Sequence, residues 1–149
     1  PQAAAAHWSR RTITRPVQAG GEQHEAVDAS AYEQLCQANA FAMQWQANGL
    51  CYGVRHEELH PLQSGRWVFV NGSRAWLPEL LSHWPWATVV HIGAAQEVLA
   101  RRLAARGRES VEAVAARAIR IDNNGHLLDA VTELQHALEQ RDLDLPVRA

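Results

Sequence analysis

Little in this chain speaks for covalent or membrane-based stability. It has two cysteines, Cys36 and Cys51, too few for the disulfide framework of a small secreted domain, so reduced thiols are expected. No apolar run comes near the ~20 residues that a membrane-spanning helix needs, and the start of the chain lacks a basic stretch followed by an apolar one. A cytoplasmic protein with no membrane partner is the expectation. A surplus of charge is also missing: the formal net charge of −2 argues against a protein that holds nucleic acid by bulk electrostatics. There is no initiator Met, and the opening Pro1-Gln2 followed by Ala3 to Ala6 reads as the interior of a longer gene product.

What is present suits one folded domain: 149 residues, 47% of them apolar, can bury a sizeable core. Residues 8–14 mix β-branched side chains with arginine and end at Arg15-Pro16, which predicts a strand with an extended exit. Ser30 with Glu33 three positions on forms a capping box, predicting a helix over 30–38. Two short aromatic or apolar runs, 41–45 and 50–54, flank Asn48-Gly49, the signature of a tight hairpin. A helix ending at Gly65 is expected next. The runs Trp67-Val68-Phe69-Val70 and 88–92 lack polar alternation, as strands buried in a parallel sheet do. Helical segments follow them at 74–83 and 96–106, the latter stopped by Gly107. A helix over 109–120, a strand end at Ile121-Asp122, a turn at Asn123-Asn124-Gly125 and an amphipathic helix over 127–138 complete the chain.

Several side-chain patterns invite a chemical reading. His56-Glu57-Glu58-Leu59-His60 matches the zinc-protease pattern H-E-x-x-H. Pro61 follows at once, and no third ligand stands at a familiar spacing, so no metal site is assigned. His83, His91 and His126 show no ligand spacing and are read as structural. The arginines Arg101, Arg102, Arg106, Arg108, Arg117 and Arg120 have the spacing of a solvated helix face. Arg15 and Arg74 stand beside predicted strand ends, where α/β sheets bind ligands. The tryptophans, with Trp45 beside the hairpin turn, are assigned to packing.

Taken in order, the pieces Thr12-Ile13-Thr14-Arg15, Gly20-Gly21-Glu22, the run 41–45, Asn48-Gly49-Leu50-Cys51-Tyr52-Gly53, Val70-Asn71-Gly72-Ser73-Arg74, the run 101–109 and Asp122-Asn123-Asn124-Gly125 resemble the guanylate-kinase-like P-loop kinases. Within that group the chain is similar to the ribose 1,5-bisphosphate phosphokinases. The resemblance implies a three-layer α/β fold with a mainly parallel central sheet, a small β subdomain for the acceptor over about 15–54 and a helical lid over about 102–117. True guanylate kinases hold the guanine edge with polar groups where this chain has Gln44, Val54 and Ser73, and a site lacking buried polar partners for a base rejects it strongly. The phosphate-gripping positions are partly kept, with Arg15, Tyr52 before Gly53, and His24 in place of a tyrosine. Gln18 replaces a second phosphate-binding arginine. The implied acceptor set is Arg15, His24, Gln44, Tyr52, Gly53, Asn71, Gly72, Ser73 and Arg74.

On the donor side the resemblance makes Arg102, Arg106 and Arg117 the catalytic lid arginines, with Arg102, Arg106 and Asn123 toward the nucleotide. Guanidinium groups suit a transition state whose charge spreads over the transferred phosphoryl oxygens. The implied reaction takes ATP and Mg²⁺ and converts ribose 1,5-bisphosphate to 5-phosphoribosyl 1-diphosphate, a step of phosphonate breakdown. The partners are then a sugar phosphate and ATP, with a homodimer left open. No G-x-x-x-x-G-K-[ST] motif occurs in the chain, so the usual β-phosphate cradle is missing and the chain as it stands is expected to be inactive. Three other readings stay open: a guanylate kinase, a non-catalytic guanylate-kinase-like binding module, and a zinc hydrolase using His56 and His60.

Overall fold

The computed structural model describes residues 6–16, 22–95 and 118–144. Its contacts divide the chain into two compact units, Pro1–Leu80 and Leu81–Ala149.

The first unit is organised by a hairpin. Asn48 and Gly49 both take positive φ, 52° and 72°, the left-handed pair that matches the twist of a two-residue hairpin turn. Strands β4 (Phe41–Ala47) and β5 (Leu50–Arg55) therefore close on each other as the spacing predicts. Arginine 11 begins β2 (Arg11–Ile13), which lies antiparallel to β5 and parallel to β3 (Glu25–Ala26), giving a sheet of order β3-β2-β5-β4. The expected strand over 8–14 is thus two strands. The chain breaks after β1 (His7–Trp8), which pairs in parallel with β6 (Val68–Phe69) in a separate ribbon where Trp8 stacks on Phe69 at 4.6 Å.

Register decides what each face of the four-stranded sheet carries, because directly opposed residues share a face and neighbours along a strand alternate. The pairs Arg11–Val54–Met43 and Ile13–Tyr52–Trp45 fall on one face, and Thr12–Gly53–Gln44 on the other. On the second face sits α1 (Ala29–Gln37). Its cap is Asp28, whose carboxylate accepts from Ala31 N at 2.7 Å; the predicted Ser30 cap lies one residue inside the helix. Tyr32 of α1 stacks on Phe41 at 5.0 Å and donates its hydroxyl to Tyr52 O at 2.7 Å. A Cβ at Gly53 would overlap the Phe41 ring, so this strand position has room only for glycine. On the opposite face Trp45 stacks between Tyr52 and Trp76, each at 5.5 Å.

The predicted helix before Gly65 forms as a 3-10 helix, His56–Ser64, and Gly65 ends it at φ 73°. With three residues per turn, His56 and His60 do not stack on one face as two ligands of an α-helix would. Glu58 of the same motif is engaged elsewhere, accepting from His7 Nε2 at 2.7 Å and Arg10 N at 3.0 Å. Among the described residues no group of three His, Cys, Asp or Glu side chains is placed to hold a metal. After β6 a 3-10 turn (Arg74–Trp76) runs into α2 (Leu77–His83).

In the second unit β7 (Val90–Gly93) and β8 (Ile119–Asp122) pair in parallel, as expected of the apolar run around His91. The helix α3 (Leu127–Asp144) is longer than the predicted 127–138, and Ala130 of α3 and Ile121 of β8 are buried. The two-sided burial predicted for the apolar runs is not found: Val68, Phe69 and Val90 are half-buried and Ile92 is 59% exposed. The predicted helix over 96–106 and most of that over 109–120 lie outside the described residues; where the second is described, Ile119 and Arg120 belong to β8 and not to a helix. No described helix is long and apolar enough to cross a membrane.

Candidate functional site

The face of the sheet opposite α1 carries Arg11, with Arg15 brought to it. Alternation along β2 puts Arg11 and Ile13 on this face. The chain then turns at Thr14, whose backbone N–H donates to Cys51 O at 3.1 Å and whose hydroxyl accepts from Cys51 N at 2.9 Å. This pair of hydrogen bonds fixes the backbone leading into Arg15 beside the start of β5. Arg15 then meets His24, which precedes β3: the Arg15 carbonyl accepts from His24 Nε2 at 2.9 Å, and the guanidinium lies 3.4 Å from Nδ1. His24 is buried, with Glu22 O 3.1 Å from Nδ1.

Glu22 joins the cluster together. Its carboxylate accepts from Arg11 through both Nε, at 3.0 Å, and Nη2, and its Oε1 lies 3.9 Å from Arg15 Nη2. The remaining end of Arg11 donates to Asn71 O at 2.8 Å, and the guanidinium stands over the Tyr52 ring at 5.1 Å. Arg11 therefore ties the loop after β6 to the sheet. Trp76 reaches the same face from the 3-10 turn that Ser73 caps and Arg74 begins.

Of the sequence-predicted acceptor residues, Arg15, His24 and Tyr52 come together on this face, and Asn71 joins them through its carbonyl. Gly72, Ser73 and Arg74 continue the loop from Asn71. Gln44 lies on the opposite face, exposed, where its Oε1 accepts from Cys36 Sγ at 3.2 Å, and Gly53 is packed against Phe41. The strand positions that share the Arg11 face are instead occupied by Met43 and by Val54, which is wholly buried. Sequence reasoning gave no role to Arg11, and none to Glu22 beyond its place in the Gly20-Gly21-Glu22 piece of the resemblance. The signal for Arg11 was available, since Arg11, Ile13 and Arg15 stand at the two-residue period of a strand. Glu22 had no such periodicity to mark it.

A second carboxylate–guanidinium pair stands on the α1 face. Glu25 accepts from Arg55 Nε at 2.9 Å and Nη2 at 2.6 Å, and from the Thr12 hydroxyl at 2.6 Å. Burial alone pushes the Glu25 carboxyl up, but the hydrogen bonds from Arg55 and Thr12 and the charge of Arg55 outweigh it and hold it below the ordinary value.

In the second unit the carboxyl ends of β7 and β8 open into a hollow of about 460 Å³, bordered by Gly93, Ala94, Arg120, Asp122, Asn124 and Glu133 among others. The carboxyl ends of parallel strands are where α/β sheets bind ligands. Asn123 donates its backbone N–H to Gly93 O at 2.9 Å, and the Asn124 side chain accepts from Ala95 N. Asn123 itself does not line the hollow; it stands between Asp122 and Asn124, which do. The predicted lid arginines Arg102, Arg106 and Arg117 lie outside the described residues.

Comparison with known proteins places the chain among sugar-phosphate kinases by sequence and beside a nucleotide kinase by fold. It is 40% identical over 147 residues to a ribose 1,5-bisphosphate phosphokinase of Agrobacterium fabrum, covering 90% of this chain and 80% of the relative. It is 42% identical over 139 residues to one of Pseudomonas paraeruginosa, covering 84% and 75%. A protein of the same name from Janthinobacterium sp. is 42% identical over 147 residues, 89% of this chain, but the match spans only 32% of that relative's length. No family model matches the chain. A guanylate kinase from Anaplasma phagocytophilum shares the fold, with a TM-score of 0.63, 18% identity, and coverage of 94% of this chain and 77% of that one.

Proposed function

We propose a reaction on one premise, that this chain belongs to the ribose 1,5-bisphosphate phosphokinase family. The reaction is transfer of the γ-phosphoryl group of MgATP to the 1-phosphate of ribose 1,5-bisphosphate. A new P–O bond forms to an oxygen of the acceptor phosphate while the bond between the γ-phosphorus and the β–γ bridging oxygen breaks, leaving ADP and 5-phosphoribosyl 1-diphosphate. A phosphonate-degrading role and a cytoplasmic setting go with that product.

The observation that carries the reading is the make-up of one sheet face. Arg11 and Arg15 converge within hydrogen-bond and ion-pair reach of one carboxylate, that of Glu22, and His24 stands against the Arg15 guanidinium; two guanidiniums on one anion are the donor set that a phosphate calls for. Beside them the strand positions of Met43 and Val54 are apolar and buried, so they supply no polar group to hold a purine edge. An acceptor that is phosphate and sugar hydroxyl without a base fits that combination. Arg15, with Arg11, takes an acceptor phosphate; Tyr52 forms the wall beneath Arg11; the loop of Asn71, Gly72, Ser73 and Arg74 meets the sugar. Such catalysis is positioning and charge neutralisation, and we assign the neutralising charge at the transferred group to Arg102, Arg106 and Arg117.

For the donor, the hollow at the ends of β7 and β8 has the size of a small-molecule site and polar groups of Asp122 and Asn124 on its border, which suits a nucleoside; Asn123, between those two, is assigned to the same end. Bound there as the magnesium complex, ATP supplies the activated phosphoryl group.

The test compares acceptors. The full-length gene product with MgATP is expected to form 5-phosphoribosyl 1-diphosphate from ribose 1,5-bisphosphate, followed by phosphorus NMR, and to form no GDP from GMP. GDP formation at a comparable rate would replace this reading with a guanylate kinase.

A further inference from the structure

The carboxylate that joins the two arginines has no part in the reaction above, and the inference about it rests on reading this face as an acceptor site. Glu22 engages the Nε–Nη2 edge of Arg11 with both oxygens and approaches Arg15 with Oε1 at 3.9 Å. That is the two-pronged geometry with which a guanidinium also takes phosphate. The third terminal group of Arg11, Nη1, is committed to Asn71 O. An incoming phosphate therefore reaches the fork of Arg11 only where Glu22 now sits. If both stayed, two anions would face each other in a partly desolvated pocket, an arrangement that disfavours both charges.

We propose that Glu22 is a displaceable stand-in for an acceptor phosphate: it holds Arg11 and Arg15 in place in the empty site and yields to a dianionic phosphate. Its position allows this. Glu22 precedes β3 by three residues and its side chain is 30% exposed, so a rotamer change releases the arginines without breaking a strand pairing. Glu25 on the other face is built differently, tied at once to Arg55 and to Thr12 within the sheet. Displacement also sets a threshold. A ligand must offer the two guanidiniums more than a carboxylate does, which favours doubly charged phosphate over monoanions and neutral sugars, and a second phosphate on the same sugar over one alone.

The experiment is calorimetric titration of the wild-type chain and Glu22→Gln with inorganic phosphate, ribose 5-phosphate and ribose 1,5-bisphosphate. The amide keeps the size and removes the competing charge. Glu22→Gln is expected to bind inorganic phosphate and ribose 5-phosphate about tenfold more tightly than wild type, which corresponds to about 1.4 kcal/mol, and to discriminate less between the mono- and bisphosphorylated sugars. Glu22→Ala is the second variant and is expected to shift in the same direction, with thermal midpoints in phosphate-free buffer reporting that each variant is folded. If wild type binds the bisphosphate and neither variant tightens toward phosphate, the stand-in role is overturned while the acceptor-site reading survives. If wild type and both variants bind none of the three, both are overturned.

Discussion

Each face of the four-stranded sheet carries a glutamate paired in two-pronged fashion with an arginine, and the two pairs are built for different work. On the α1 face Glu25 and Arg55 both belong to strands, Thr12 adds a third bond, and the group is closed within the sheet. In the ionic group of the opposite face only Arg11 is a strand residue. Glu22 and Arg15 stand on the chain segments that leave and enter the strands, beside buried His24 and the Tyr52 ring. On the proposed reading, the same ionic chemistry is locked where it supports the fold and displaceable where it would meet a ligand. The comparison teaches that attachment to regular structure, more than residue type, separates the two roles.

The sharpest way to break the comparison on the packing side is Gly53→Val. Its side chain would enter the space of the Phe41 ring, and we expect a loss of up to about 3 kcal/mol in denaturant unfolding, as overpacking of a tight site costs. An unchanged midpoint would mean that the Phe41 packing is not tight. On the ligand side Arg15→Ala is expected to weaken ribose 1,5-bisphosphate binding by roughly ten- to a hundredfold, the range of a lost charge-assisted contact, while ATP binding stays within about twofold. Equal losses for both ligands would count against an acceptor role.

Glu25→Gln tests the locked pair. It leaves the Arg55 guanidinium without its charge partner and is expected to cost about 1–2 kcal/mol of stability with acceptor affinity retained. The sign of the pH effect follows from the depressed carboxyl. Because Glu25 is held below its ordinary value of 4.5, its contribution is fully present above that value and is lost as pH falls through the lower folded-state value. Stability–pH curves of wild type and Glu25→Gln are therefore expected to converge below about pH 4.5, and a constant gap down to pH 2 would contradict the pairing. The smallest effect is expected of Tyr32→Phe, about 1 kcal/mol, for removing the hydrogen bond to Tyr52 O. Burial pushes the Tyr32 phenol well above its ordinary range, so no change in its contribution is expected across neutral pH.

Local chemistry made much of this architecture legible before any coordinates. Asn48-Gly49 specifies a hairpin because both residues tolerate positive φ, and the hairpin is there. The apolar runs specify parallel strands, which form, but runs of apolar residues do not say how much of each face is covered. Asp28 won the helix cap over Ser30 because its carboxylate stands where Ala31 N points, a difference of geometry that a capping pattern does not resolve. The same limit applies to the site. Arg15, His24 and Tyr52 were readable from their positions in the pattern, whereas Gln44 follows a strict strand alternation with Met43 and Trp45 that puts it on the other face. Glu22 was not readable because its partner Arg11 is eleven positions away and only the β2–β3 pairing brings them together.

A paired titration of ribose 1,5-bisphosphate into Arg11→Met and Arg55→Met tests the two faces most directly. Arg11→Met is expected to lose at least about tenfold in affinity, the scale of one charge-assisted pair, while Arg55→Met is destabilised yet binds within about twofold of wild type. Equal affinity losses in the two variants, or a larger loss from Arg55→Met, would contradict the division of labour between the two faces.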